Sequence, residues 1–294
     1  MNCGDRLASM SEQIAAGAAL YVVGTPIGNL EDITLRALRV LKECDLIACE
    51  DTRQTAKLLN HFGISTRTVS YHEHNEKERA EELLKEFARG SRVALVSDAG
   101  MPGISDPGYR LIAIAIESKV PVVPVPGPAA FVAALAASGL PTDAFRFNGF
   151  LPAKRGQRKQ ALESVRDSDV TEMFYEAPHR VKDTLEDMVE VLGRGRSVVV
   201  AREITKMYEE FLRGSTAEVL ATLNSRGEVK GEITLLIGMA SESDFGSSHI
   251  SVRERMAQVM TEEKLDEKVA LKKVAKEMGI SKSEAYREWQ RGKE

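Results

Sequence analysis

From Leu20 onward, short apolar runs alternate with longer stretches in which apolar residues recur every three or four positions. The runs at 20–23, 45–49, 68–71, 93–96 and 120–125 have the composition of strands buried on both faces. The stretches between them, at 33–42, 52–62, 76–87 and 109–117, predict helices with one apolar face. Ala56, Leu59 and Phe62 are the inward candidates of the second helix, and Leu83, Leu84 and Phe87 those of the third. Asp32 is placed to cap the first helix, and Gly90 to end the third. An Ala-rich helix at 131–137 closes the series. Strand regularly followed by helix predicts an α/β fold with a mainly parallel sheet whose loops gather at one edge.

After a linker at 138–142 the pattern loosens. Strands are expected at 145–150, 172–175, 197–201, 210–213 and 233–237, with helices at 155–165, 180–192 and 216–223. Fewer helices per strand predict a mixed sheet. Residues 241–248 have the composition of a flexible joint. From residue 250 the period is helical throughout, and residues 271–286 have the shape of a helix-turn-helix. Ala275 would face the partner helix, Gly279 would make the turn, and Ser281 with Glu284 would form a capping box. Modules of this kind bind nucleic acid or a partner protein. The expected organisation is a disordered leader at 1–18, an N-terminal α/β domain at 19–141, a second α/β domain at 142–241 and a small all-helical C-terminal domain at 250–294.

Three of the predicted strands end in Gly/Pro loops: G-T-P-I-G-N at 24–29, S-D-A-G-M-P-G-I-S-D-P-G at 97–108 and P-G-P-A-A at 126–130. Glycine leaves no Cβ between backbone and ligand, while proline stiffens the turn. In open α/β sheets, ligands sit just beyond the carboxyl ends of the strands, where these loops lie. The spacing is not G-x-G-x-x-G, and Pro26 stands where a dinucleotide fold needs an amide-rich turn. Glu50 lies at the right separation from Gly24 to be a ribose ligand of such a fold, but without the glycine pattern it is better read as a cap or as a site residue of another kind.

Charge narrows the partners. The net charge of −4 and pI of about 5.9 give no global attraction to polyanions, so any nucleic acid has to be met by a local patch. Lys154, Arg155, Arg158 and Lys159 form a tight basic run that can serve as one. Cys3, Cys44 and Cys49 are scattered and lack metal-ligand spacing, which argues for reduced thiols, a cytoplasmic location and no bound metal. Neither a signal peptide nor a membrane-spanning run is evident.

Several motifs in register carry a resemblance. V-V-G-T-P-I-G-N-L (22–30), A-C-E-D-T-R (48–53), H-E-H-N (72–75), the loop at 97–108, P-V-P-G-P-A-A (124–130), F-Y-E-A-P-H-R (174–180) and R-E-I-T-K (202–206) together resemble the tetrapyrrole methylase family. Within it they are similar to the branch that methylates the 2'-hydroxyl of a cytidine in 16S rRNA with S-adenosylmethionine. The resemblance covers about 20–240 and implies two α/β domains around a cleft that holds the methyl donor, in a homodimer. Carried onto this chain, it implies a donor-binding set of Pro26, Ser97, Asp98, Ala99, Gly100, Pro102, Pro128 and Ala129, closed by Tyr175, Glu176 and Glu232. Asp98 would accept from a ribose hydroxyl or the donor's amino group; a turn-stabilising role is its alternative.

Methyl transfer from a sulfonium is an in-line displacement, so positioning supplies much of the rate, and a ribose hydroxyl gains from a nearby proton acceptor. Glu50, His72 and His74 all fall on the loop edge and are the candidates for that role. RNA contact is expected from the basic run, with Arg53, Arg180 and Lys206 adding to it. Two rivals stay open: methylation of a tetrapyrrole carbon, for which the basic run and the tail have no use, and a non-catalytic nucleic-acid-binding regulator, against which the three loops argue.

Overall fold

The computed structural model describes residues 17–241, 244, 252–262, 265–277 and 280–290. Most of the expected leader, Cys3, most of the joint at 241–248, the Gly279 turn and the Glu284 side chain lie outside the described residues.

Strands β1 (Ala19–Val23), β2 (Leu46–Cys49), β3 (Thr68–Ser70), β4 (Arg92–Val96) and β5 (Val122–Val125) form one sheet in the order β3-β2-β4-β1-β5, and every pairing in it is parallel. Helices α1 (Leu35–Glu43), α2 (Thr52–His61), α3 (Glu76–Ala88) and α4 (Tyr109–Glu117) cover its two faces. Strand periodicity decides which. Leu20, Val22, Leu46, Ala48, Val93 and Leu95 point to the face packed by Leu83, Leu84 and Phe87 of α3 and Leu111 of α4. Val23, Ile47, Cys49, Ala94 and Val96 point to the other, packed by Ala37, Val40 and Leu41 of α1 and Leu59 of α2.

Two local expectations need correction. Asp32 does not cap α1: residues Leu30–Asp32 form a 3-10 turn, and the Thr34 hydroxyl accepts from the Ala37 amide at 3.1 Å. Thr34 is in extended backbone, the conformation an N-cap requires, whereas Asp32 is already committed to the turn. In α2 the fully buried pair is Thr55 and Leu59, with Ala56 and Phe62 half-buried.

Strands β6 (Phe145–Phe150), β7 (Thr171–Glu176), β8 (Ser197–Arg202), β9 (Glu210–Ser215) and β10 (Ile233–Ile237) form a second sheet in the order β6-β7-β10-β8-β9. It is mixed: β6 runs parallel to β7, while β10 is antiparallel to both β7 and β8, and β9 to β8. One face packs on α6 (Arg155–Ser164), α7 (Val181–Leu192) and α8 (Thr216–Asn224) through Leu162, Leu185, Met188, Leu192 and Leu223. The other face is covered by α5 (Ala130–Ser138), the Ala-rich helix, whose Ala134 and Leu135 pack with Met173, Val199, Ala201 and Leu236. Small side chains on α5 let its backbone lie close to the second sheet, so the last helix of the first half joins the two halves. Arg213 fixes it there by donating from Nε to the Ser138 carbonyl at 3.0 Å, at the helix end where a cation is favourable.

Among the described residues the tail holds three helices, α9 (Val252–Glu262), α10 (Glu267–Glu277) and α11 (Lys282–Gln290), packed through Met256, Val259, Leu271, Val274, Ala275 and Ala285. Ala275 is buried in that contact, as its position in the pattern predicts.

Candidate active site

Three of the loops at the carboxyl edge of the first sheet, those after β1, β4 and β5, are tied to one another. Thr25 and Gly100 exchange backbone bonds of 2.9 and 3.1 Å, joining the loop after β1 to the loop after β4. The Thr25 hydroxyl adds a bond to the Ser97 carbonyl at 3.1 Å. Gly24 crosses Gly127 so closely that a Cβ on Gly24 would lie 2.7 Å from the Gly127 Cα, which ties the loop after β5 to the first. Glycine at this crossing is therefore a steric requirement.

Between these loops and the second sheet is a cavity of about 390 Å³, a size suited to a small ligand. The first half contributes Ile27, Ala99, Gly100, Met101, Ile104, Ser105, Asp106, Ala129, Ala130 and Phe131; the second contributes Phe150, Tyr175, Glu176, Ala177, Pro178, Ala201, Ile204, Glu232, Ile233 and Thr234. Of the expected donor set, Ala99, Gly100, Ala129, Tyr175, Glu176 and Glu232 thus face one space. Pro26, Ser97, Asp98, Pro102 and Pro128 do not line it. Ser97 is buried and its hydroxyl donates to the Ala99 carbonyl at 3.1 Å, which shapes the turn. Asp98 turns toward the neighbouring loop, where its carboxylate accepts from the Asp51 amide at 3.1 Å.

The cavity wall has an aromatic side. Phe131 stacks on Phe147 at 4.4 Å, and Tyr175 meets Phe147 and Phe150 edge-on at 4.8 and 5.3 Å. Burial pushes the Tyr175 phenol up, so it stays a neutral hydroxyl.

Three carboxylates also reach the cavity, and their surroundings differ. Glu176 is buried and fully engaged: it accepts from the Ala177 amide at 2.7 Å and the Thr184 hydroxyl at 2.6 Å and pairs with Arg180 at 2.7 Å. Glu232 is exposed and pairs with Lys206 at 2.9 Å. Asp106 has no ion-pair partner among the described residues. Its burial, then the charge of Glu50 and that of Asp98, push its carboxyl up to about 6 against a bond from Ser97. Nothing in the pattern of the sequence singles out Asp106, because the P-G turns on either side of it read as loop structure.

Glu50, His72 and His74 do not line the cavity. Burial first and the Asp98 charge second push the Glu50 carboxyl up. His72 has a ring nitrogen, Nδ1, that is buried without a partner, while Nε2 lies 3.2 Å from the Asn75 side-chain amide. His74 is exposed, its ring 6.0 Å from that of His72. Cys49, at the end of β2, has its thiol pushed up by burial and is no nucleophile. Among the described residues no group of three His, Cys, Asp or Glu side chains is arranged to hold a metal ion, and no helix is long and apolar enough to cross a membrane.

The expected RNA contacts divide sharply. Lys154 is exposed at the start of α6. Arg155 is exposed but directs Nε to Asp187 at 2.8 Å. Arg158 is only 4% exposed and grips the same carboxylate at 2.7 Å, so its charge serves the fold and it is withdrawn from the expected RNA-binding set. Lys159 pairs with Glu190 at 2.5 Å. Arg53 is exposed and pairs with Asp51, while Arg180 and Lys206 are held by Glu176 and by Glu203 with Glu232.

The chain resembles known proteins over most of its length. It is 56% identical over 218 residues to a ribosomal RNA small subunit methyltransferase I of Halalkalibacterium halodurans, covering 74% of this chain and 75% of that one. It is 45% identical over 268 residues to the protein of that name from Synechocystis, covering 91% and 95%. Among solved structures, a diphthine synthase superposes with a TM-score of 0.58 at 17% identity, covering 75% of this chain and 90% of that one. A uroporphyrin-III-C-methyltransferase from Thermus thermophilus does so with 0.52 at 21%, covering 76% and 95%. With the Tetrapyrrole (Corrin/Porphyrin) Methylases profile matching residues 19–220, the chain belongs to the tetrapyrrole methylase family and is a methyltransferase.

Proposed function

We propose that this methyltransferase transfers a methyl group from S-adenosylmethionine to the ribose 2'-hydroxyl of a cytidine in 16S rRNA of the small ribosomal subunit. The observation that carries the reading is the cavity itself. It is closed by both halves of the chain, and its lining is mostly apolar with three carboxylates, Asp106, Glu176 and Glu232, among it. Such a lining suits the nucleoside of the donor. Gly100, at φ 81°, leaves a wall without a side chain, and a Cβ there would stand 3.5 Å from Ile27 and 3.6 Å from the Pro128 carbonyl, filling the cradle.

When bound, the donor supplies a methyl carbon open to in-line attack. Ala99, Gly100 and Ala129 would meet it with backbone groups, Tyr175 would pack beside it, and Glu176 would hold the wall at Ala177 and Pro178 in shape. Asp98 and Ser97 would act through the loop, by setting its turn. Lys154 and Arg155 would meet phosphates from the second half, with Arg53, just after β2, doing so from the carboxyl edge of the first sheet.

Residues 19–141 and 142–241 are read as the two domains that form the cleft, and 250–294 as a helical domain that engages the substrate or the partner subunit. Exposed apolar side chains, Tyr109 and Ile116 on α4 and Val132 on α5, support a homodimer. Action on ribosomal subunits places the protein in the cytoplasm. The test is to incubate it with methyl-labelled S-adenosylmethionine and small subunits and to map the product. Label on one cytidine ribose of 16S rRNA is expected; label on a base, or on a tetrapyrrole and not on RNA, overturns the assignment.

A further inference from the structure

We infer that Asp106 is the proton acceptor of the transfer: its carboxylate faces the acceptor hydroxyl in the cavity and is held in place by the loop after β4. The inference rests on the reading of the site as one that methylates a ribose hydroxyl.

Elimination comes first. Of the three carboxylates that line the cavity, Glu176 spends its oxygens on Ala177, Thr184 and Arg180, and Glu232 is tied to Lys206. Asp106 keeps lone pairs that no cation claims. His72 and His74 are outside the cavity wall. A general base has to reach the proton it removes before its basicity matters, and Asp106 meets that condition where the histidines do not.

The backbone around it is set for positioning. Ser105, one residue earlier, is a non-glycine residue at φ 60°, and Pro107, one residue later, has its own φ fixed and restricts the backbone of Asp106 before it. Gly108 then donates its amide to the Glu76 carboxylate of α3 at 3.1 Å, which in turn lies 3.6 Å from Arg110 of α4. The turn that presents Asp106 is therefore anchored from outside the cavity.

The charged and titratable groups that bear on Asp106 come from three elements. Glu50 follows β2, Asp98 follows β4, and Tyr175 of β7 lies across the cavity and feels the Asp106 charge. Glu50 in turn feels His72. Partial burial, and after it two like charges, make the carboxylate a stronger base than an exposed aspartate while leaving it ionised at neutral pH.

The step balances simply. The ribose oxygen forms a bond to the methyl carbon as the carbon–sulfur bond breaks, and its electron pair stays on sulfur, giving neutral S-adenosylhomocysteine. The hydroxyl proton passes to Asp106, which later returns it to water.

Asp106→Asn and Glu50→Gln test this with single-turnover methylation of small subunits, alongside donor affinity by calorimetry. Asp106→Asn is expected to lower the transfer rate by about 10²- to 10⁴-fold, with donor affinity within about twofold of wild type. In wild type the rate should fall as pH drops through about 6, and a 13C-labelled Asp106 carboxyl in the free protein should titrate over the same range. Glu50→Gln should move both the rate limb and the 13C titration to lower pH, a shift that a purely structural role for Asp106 does not produce. If Asp106→Asn retains the wild-type rate within about threefold while wild type methylates ribose, the inference falls alone. If wild type methylates no ribose, the proposed function falls and takes the inference with it.

Discussion

The two halves of the molecule treat their carboxylates in opposite ways. At the loop edge of the first sheet, Glu50, Asp98 and Asp106 gather with no ion-pair partner among the described residues, and burial raises the affinity of each for a proton. In the second half, Glu172 pairs with Arg146, Glu176 with Arg180, and Asp187 with both Arg155 and Arg158. There the guanidinium bonds outweigh burial, and Asp187 is held below the ordinary carboxylate range. A fold selected only for stability would pair or expose the first group as it pairs the second. The difference is what a cluster kept for chemistry, beside pairs kept for architecture, would produce.

The largest effect is expected where a pair is broken. Arg158 and Asp187 are both almost fully buried, so Asp187→Ala leaves a guanidinium without its counter-charge, at about 3–5 kcal/mol. Urea unfolding reads this directly. A loss below about 1 kcal/mol would mean that the pair behaves like a surface bridge and that the architectural half of the contrast is overstated. Removing both charges together, as Arg158→Met with Asp187→Leu, should cost far less than removing one.

Next comes the crossing of the loops. Gly24→Ala places a methyl 2.7 Å from the Gly127 Cα and from the Met101 sulfur, and backbone cannot yield as a side-chain tip can. A cost of about 1–3 kcal/mol is expected, together with weaker donor binding, because the same shift opens the cavity. Stability lost with donor affinity intact would separate the crossing from the site.

How much of this was legible in the sequence depends on the range of the interaction concerned. The strand and helix succession came from local periodicity, and each predicted strand appears within about two residues of its place. The Gly/Pro loops marked the correct edge of the sheet. What periodicity cannot carry is which side a loop residue faces: Asp98 and Asp106 sit in one loop, yet the first turns toward Asp51 and the second into the cavity. Arg158, within the basic run at 154–159, turns inward for a similar reason. Its partner Asp187 lies on α7, 29 residues beyond Arg158, and only the packing of α6 on α7 converts a cationic stretch into a buried pair.

A smaller test concerns a local misreading. Thr34→Ala removes the bond to the Ala37 amide and should cost about 1 kcal/mol, whereas Asp32→Ala, which removes no cap of α1, should cost distinctly less. Equal losses in thermal unfolding would return the capping role to Asp32.

The smallest effect is the one that most sharpens the contrast between the halves. Because the folded state raises the Asp106 carboxyl to about 6, it binds this proton more tightly than the unfolded chain does. That preference favours folding below the unfolded value near 4 and is lost as pH rises through about 6, so the ionised aspartate is a net cost to the fold at pH 8. Asp187 has the opposite sign: its depressed value contributes stability above the ordinary range, which disappears as acid protonates it. Asp106→Asn should therefore raise stability at pH 8 by less than about 1 kcal/mol, once solvent screening of a half-buried group is allowed for. The gain should vanish near pH 4, where wild type is protonated too. A variant stabilised at pH 8 yet crippled in transfer is what a residue kept for chemistry predicts; one that loses stability at both pH values would place Asp106 with the structural carboxylates of the other half.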